Sequence, residues 1–415
     1  MTRARSIAVV ATAIGAALVA PAVDQASARL KDPPPKRPEV AYRFVSIPDL
    51  FNADLGDVRG QLGWDSGDPN SMNPYYEEAI DVVLDAVEAE DPAFVAVAGD
   101  LVEGHWGEDL DNTGIFGRVG TEAERLRAIA AAGDLYYGQW RDRFARRGLT
   151  VYPALGDHEI GDDLGGQPMD QRWPAGTFRH RAVPTYKAVW ARNFTTAPGT
   201  GDRYALRPIG TQWEDTAYAV RPDDETLLVS VDVFRYNDRG VQPTVAGGQL
   251  RWLRGLLTDA RRRGIDNVIV QGHVPVLGPV RAARSGRLAM LGGEQSRFWR
   301  LLKAKGVDMY LAGEVHAVTA IDDGVLQVTH GGLIAWGGVN YLLVTVYDDG
   351  TVKLRLKDFK RTAIDRERTL WQTSWKRQPL SVTYARGTRT VATGRYRRSG
   401  AFTRRTGLFK PYRPR

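Results

Sequence analysis

Five apolar runs in this chain end the same way: a small residue or a turn, then a carboxylate or an imidazole. They are VSIPD, ending at Asp49; VAVAGD, ending at Asp100; YPALGDHE, with Asp157, His158 and Glu159; VIVQGH, ending at His273; and LAGEVH, with Glu314 and His316. Such side chains past a buried strand can cap a helix, serve as satisfied structural groups, or hold a ligand. In α/β folds ligands bind beyond the carboxyl ends of the strands. Glycine just before the polar residue, at Gly99, Gly156, Gly272 and Gly313, lets the chain turn and a ligand approach the backbone. One such end is most simply a cap, but five in one chain point to ligand chemistry gathered at one edge. Cysteine is absent, which removes thiolate metal sites, cysteine nucleophiles and disulfides together.

The elements that must position these residues are legible as patterns. NPYYEEAIDVVLDAVEAE carries Ile80, Val83, Leu84 and Val87 at helical spacing and leads into AFVAVAGD. GQLRWLRGLLTDARRRG leads in the same way into NVIVQGH, and EQSRFWRLLKAKG into VDMYLAGEVH. Helix followed by buried strand, repeated, is the pattern of an α/β sheet. TAYAVRPDDETLLVSVDVF reads as an antiparallel hairpin, as does VTVYDDGTVKLRLKDF around Asp348, Asp349 and Gly350, so mixed sheets are expected. Residues 105–150 and 160–215 hold weaker patterns and read as insertions, where selectivity for substrate often lies.

The ends of the chain differ from its body. Residues 1–28 join a basic start, an apolar stretch rich in Ala and Val, and a small-x-small site at Ala26, Ser27 and Ala28. That is the form of a secretory signal peptide, with cleavage expected after Ala28 and a secreted or extracytoplasmic mature protein. Residues 29–40 are a Pro-rich linker. Residues 360–415 carry sixteen lysines and arginines against two acids, a net +14. The whole chain is +7, so residues 1–359 carry −7. The basic segment from 359 to 415 has interleaved aromatics. It suits an anionic polymer at a cell surface, or else edge strands or a solvated tail.

Over residues 41–358 the chain resembles the calcineurin-like metallophosphoesterase superfamily, which includes the purple acid phosphatases. The matching pieces are Asp49, Gly99-Asp100, the Gly156-Asp157-His158-Glu159 block, Gly272-His273 and Gly313-x-x-His316, in that order. GGQLRWLRGLL, before His273, is similar to the helix that family carries there. The resemblance implies a four-layer α/β/β/α sandwich with two metal ions at the carboxyl edge. It also implies hydrolysis of a phosphate mono- or diester by a metal-bound hydroxide. Carried over residue by residue, it makes Asp100 the bridge between the metals. Asp49 and His316 would hold the first metal; Asp157, His273 and Glu314 would hold the second. His158 would protonate the leaving group or steady the phosphoryl group, and Glu159 would orient the His158 ring.

Three positions depart from the family pattern. Phe51 stands where a histidine is usual and cannot bind a metal; Glu103, Asn52 and Asp54 are the candidates to serve instead. Asp157 stands for the usual Asn, and Glu314 for a His. All three changes remove nitrogen or add oxygen, so harder ions such as Fe, Mn, Mg or Ca are favoured over Zn. Asp49, Asp100, Asp157, Glu314 and Glu103 would total −5 against +4 from two divalent ions. A trivalent ion, or Arg179 or Arg181, would then restore the balance. His180 and His330 are further imidazoles that could face the site.

Other classes find less support. There is no Gly-x-Ser-x-Gly elbow, no phosphate-binding loop with Lys-Ser/Thr, and no Gly-x-Gly-x-x-Gly after a strand. The alternatives that stand are a nuclease of the same fold and a catalytically degenerate protein that binds metal or anions at the cell surface. Phe51 and Glu314 favour the degenerate reading, and the retained His158 and His316 oppose it.

Overall fold

The computed structural model describes residues 37–51, 53–109, 113–162, 173–197, 201–278, 288–332, 340–365, 381–397 and 400–407. The expected signal peptide and residues 29–36 of the linker lie outside them, as does Asn52.

The chain opens with β1 (Val40–Ser46), α1 (Pro74–Glu88), β2 (Phe94–Val97), α2 (Glu122–Arg146) and β3 (Val151–Pro153), and these three strands pair in parallel. Next come α3 (Phe178–Phe194), a short ribbon of β4 (Thr196–Ala197) and β5 (Gly201–Asp202), and the hairpin of β6 (Tyr218–Val220) and β7 (Thr226–Ser230). A second ribbon, β8 (Phe234–Asn237) with β9 (Gly240–Pro243), leads to α4 (Gly247–Arg263), β10 (Asn267–Gln271), α5 (Arg297–Ala304) and β11 (Met309–Ala312). The chain ends with β12 (Thr319–Asp322), β13 (Leu326–Thr329), β14 (Asn340–Tyr347), β15 (Thr351–Asp365), β16 (Ser381–Arg397) and β17 (Gly400–Gly407).

Two large mixed sheets result. The first runs β17-β16-β15-β14-β1-β2-β3 and the second β12-β13-β11-β10-β7-β6. They pack face to face because their strands alternate. Phe44, Phe94, Leu342 and Leu354 of the first sheet share one buried cluster with Leu228, Ile269, Met309 and Val328 of the second. Phe44 and Phe94 stack at 4.8 Å. Each fully buried ring of this kind is worth about 1.5–3 kcal/mol. The alternate residues Val45, Val95, Val268, Val270, Tyr310 and Tyr341 belong to the other cluster, which holds the helix faces. Phe298 and Trp299 of α5 set their edges against Tyr310, and the Tyr341 hydroxyl donates to the Ala86 carbonyl of α1. The layers are α/β/β/α.

α1 shows how the local sequence builds an element. Asn73 caps it by accepting the amides of Tyr75 and Tyr76, and Pro74 occupies the first turn, where its missing N–H costs nothing. Residues 105–150 and 160–215 contain the two long helices α2 and α3. α2 starts on a reciprocal capping box of Thr121 and Glu124. Its buried face is Ala, Gly, Tyr and Trp rather than Leu or Val, which explains its weak periodic signal.

The basic C-terminal segment, where described, is sheet. β15, β16 and β17 extend the first sheet antiparallel, and Val382, Tyr384, Ala392 and Tyr396 are buried.

Candidate metal centre

Parallel strands point their carboxyl ends the same way, so the five polar strand ends meet at one edge. Asp49 and Asp100 each lie three residues past their strand, Asp157 four, His273 two, and Glu314 and His316 two and four. The two sheets are tied together here. His273 Nδ1 lies 2.8 Å from the Ala98 carbonyl, and the Glu314 amide donates to Asp49 Oδ1 at 3.1 Å.

Two donor groups share this edge. Asp157, His273 and Glu314 place ligand atoms within 4.8 Å of one another, and so do Asp49, Asp100 and His316. His273 Nε2 lies 2.9 Å from Asp157 Oδ1, 3.3 Å from Asp100 Oδ2 and 3.6 Å from Glu314 Oε2. His316 Nε2 lies 3.1 Å from Asp49 Oδ1. Asp100 therefore belongs to one of these groups and touches the other, and it forms a further group with Asp157 and His158. The backbone turns sharply to present these side chains: Asp49, Asp100, Glu314 and His316 all have positive φ, between +46° and +67°. For residues other than glycine this conformation is strained and gathers at functional sites. Gly156 is needed for close approach, since a Cβ there would lie 2.1 Å from Asp100 Oδ1.

The donor set fits a pair of cations. Asp49 Oδ2, Asp157 Oδ1 and His273 Nε2 are buried and have no hydrogen-bond partner among the described residues. The 2.9 Å approach of His273 to Asp157 is close but misaligned for a hydrogen bond, as expected of two atoms aimed at a third. Buried polar atoms are seldom left so. Without cations, protons do the neutralising. Burial holds Asp100 well above the usual carboxylate range, and burial with Asp157 nearby pushes Glu314 up to about 7. Burial opposes charge on His273, but Asp100, Asp157 and Glu314 outweigh it and raise its pKa. Asp157 goes the other way: burial opposes its charge, while His158 and His273 favour it and lower its pKa. Metal binding to such ligands releases protons.

His158 sits beside the pair. Its Nδ1 lies 2.7 Å from the Glu103 carbonyl, which directs Nε2 toward Asp100 Oδ2 at 3.8 Å. Glu159 does not orient this ring, contrary to the sequence expectation. Its carboxylate accepts the amides of Gly156, Asp100 and Leu101 at 2.7–2.8 Å. It clamps the loops after β2 and β3, and the ring is held by the Glu103 carbonyl instead.

The other candidates separate. Glu103 groups with His105, His158 and Asp162, outside both donor groups of the pair. Asp54 accepts the amides of Glu103 and Gly104. Phe51 is buried against Trp140. With Glu103 set apart, the carboxylates of the two donor groups are Asp49, Asp100, Asp157 and Glu314, a formal −4 when all are ionised. Arg181 is not at the site, because it pairs with Glu122 on an exposed helix face. Arg179 lies at the rim, donating to the carbonyls of Gly161 and Asp162. His180 is engaged with the Asn237 carbonyl and stacks on Tyr236. His330 lies 3.0 Å from Ser46 Oγ, and burial pushes its pKa down to about 4. Sequence reasoning missed His105 and Asp162. The spacings Glu103-x-His105 and His158-x-x-x-Asp162 were the available signal.

Among solved structures the chain is similar to a dimetal phosphatase from Danio rerio. The identity is 15%, over 84% of this chain and 100% of that one, with a TM-score of 0.43. A purple acid phosphatase from yellow lupin seeds is 14% identical over 78% of this chain and 52% of that one, with a TM-score of 0.44. GAP50, the anchor in the inner membrane complex of Plasmodium, is 13% identical over 85% and 90%, with a TM-score of 0.40. No curated protein sequence matches. The family model described as calcineurin-like phosphoesterase matches residues 50–318. That match spans well over half of the chain, which therefore belongs to the calcineurin-like phosphoesterase family.

Proposed function

We propose that this protein is an exported phosphoesterase that hydrolyses a phosphate mono- or diester at a dinuclear cation site, with His158 as the acid. The observation that carries the reading is the placement of Asp100. It lies in the donor group of Asp49 and His316, groups also with Asp157 and His158, and is 3.3 Å from His273 of the other, with His158 Nε2 3.8 Å away. Asp49 and His316 would hold one cation, Asp157, His273 and Glu314 the other, with Asp100 shared. Such a pair, when bound, supplies an activated water and charge to meet the phosphoryl oxygens.

The protein's own part is positioning and proton transfer. The Glu103 carbonyl accepts Nδ1–H of the His158 ring, which leaves Nε2 facing the site to give its proton to the leaving oxygen when the ring is imidazolium. The oxygen-rich donors at Asp157 and Glu314 favour Mn, Fe, Mg or Ca over Zn. Export is proposed from the basic, apolar and Ala26-Ser27-Ala28 sequence of residues 1–28. Among the described residues, no helix is long and apolar enough to cross a membrane. We also propose that the basic C-terminal strands hold the enzyme to a polyanion.

The test uses protein recovered from culture medium, with its first residue determined; Arg29 is expected. Metal content by mass spectrometry should give about two ions per chain. An aryl phosphate should be turned over with added Mn or Fe, and His158→Ala should lower turnover by about 10²–10⁴ while keeping both ions. No turnover with Mn, Fe, Mg, Ca or Zn would reject the enzyme in favour of a binding protein that has lost catalysis, the reading that buried Phe51 supports.

A further inference from the structure

A second nest of metal-ligating side chains lies against the pair and shares only His158 with its surroundings. Glu103 and His105 come from the loop after β2, and His158 and Asp162 from the loop after β3. Donor atoms of all four lie within 4.8 Å of one another. All four are more than nine-tenths buried. His105 Nε2 meets Asp162 Oδ2 at 2.6 Å, His158 Nε2 lies 4.0 Å from Asp162 Oδ1, and His158 Nδ1 lies 3.9 Å from Glu103 Oε2. His105 Nδ1 is buried with no hydrogen-bond partner among the described residues.

The backbone is shaped for this crowding. Gly104, between Glu103 and His105, has φ +74°, and a Cβ there would lie 1.8 Å from the His158 carbonyl oxygen. Asp162 adopts φ +58°. Two carboxylates and two imidazoles have been taken out of water together. Buried carboxylates favour a counter-charge, and His105 already faces Asp162 from within the nest, so a cation taken here would be shared between carboxylates and imidazoles. The donor chemistry also differs from that of the pair. Two nitrogens and two oxygens match a Zn-type site, whereas the pair is oxygen-rich.

We propose that Glu103, His105, His158 and Asp162 form a third cation site, selective for a Zn-like ion, whose occupation inhibits the enzyme. Inhibition follows because a cation on this site draws the His158 imidazole away from proton donation. That consequence rests on the proposed role of His158; the binding of the ion does not.

The experiment loads the full-length mature protein with Mn, adds Zn, removes unbound metal and counts both ions per chain by mass spectrometry. Two Mn and one Zn are expected, with turnover falling as Zn is taken up. His105→Ala should keep two Mn, weaken Zn uptake at least about tenfold, and leave its turnover insensitive to added Zn. Asp162→Asn, nearly identical in shape, should also lose Zn uptake and carries the test if His105→Ala fails to fold. Zn that replaces Mn one for one, or a third ion that persists in both variants, would overturn the site. One Zn that depends on His105 in a protein without Mn or turnover would uphold the site and reject the phosphoesterase instead.

Discussion

Glu314 is a carboxylate where the family resemblance implies an imidazole. Its Oε2 lies 3.6 Å from His273 Nε2, while its Oε1 accepts the Leu288 amide at 3.0 Å, so one oxygen is anchored and the other faces the His273 ring. Burial, with Asp157 nearby, pushes its pKa up to about 7, and a bound cation would displace that proton. Glu314→His would exchange that oxygen for nitrogen. We expect the bound metal to shift from Mn toward Zn, measured by competitive dialysis at equal concentrations. An unchanged Mn-to-Zn ratio would remove Glu314 from the ligand set.

At the scale of elements, the site depends on two loops being held at a fixed separation. The loop after β2 presents Asp100 and Glu103, and the loop after β3 presents Asp157 and His158. Glu159 joins them by accepting three buried amides, one from its own loop and two from the other. Truncating it would strand those donors, at about 1–3 kcal/mol each. Glu159→Ala should therefore destabilise the protein by on the order of 3 kcal/mol or more in urea unfolding. Its metal binding should fail along with it. A variant with native stability would show that the loops are held by something else.

At the scale of the whole molecule, the C-terminal strands serve two ends at once. Their inward residues Val382, Tyr384, Ala392 and Tyr396 are part of the core, so deleting the basic segment would expose apolar surface and unfold the first sheet. Their outward residues are cations interspersed with threonines. Lys353 stands directly opposite Arg395 across the β15–β16 pair, and Arg397 is exposed one pleat further on. Like charges directly opposite destabilise a sheet; Asp349, 3.7 Å from Arg397, offsets part of that cost, and a polyanionic partner would offset more. The Arg395→Glu, Arg397→Glu double variant should elute from a polyanion column at lower salt, with unchanged turnover of a small aryl phosphate. Elution at the same salt would leave these strands a structural role alone.

The sequence by itself determined the alternating helices and strands around the site, the hairpins, and the side chains that each strand end delivers. Those are matters of period and of the residue that follows a run, and both are local. It also determined the family, because the order of Asp49, Asp100, Asp157, His158, His273 and His316 is a property of the chain. Only the tertiary structure decided which donor serves which group. Glu103 lies three residues from Asp100 and yet groups with His105, His158 and Asp162, where the positive-φ turn at Gly104 packs the loop against the His158 backbone. Glu159 neighbours His158 in sequence but turns to the backbone of another loop. α2 was hidden because Ala, Tyr and Trp bury a face without marking its period. The basic segment was read as a possible tail because charge dominates its composition, while its buried residues find their neighbours only when β15, β14 and α1 are already in place. Spacing along a chain reports the local conformation; proximity across a sheet edge is set by strand direction and by loops whose courses no local pattern encodes.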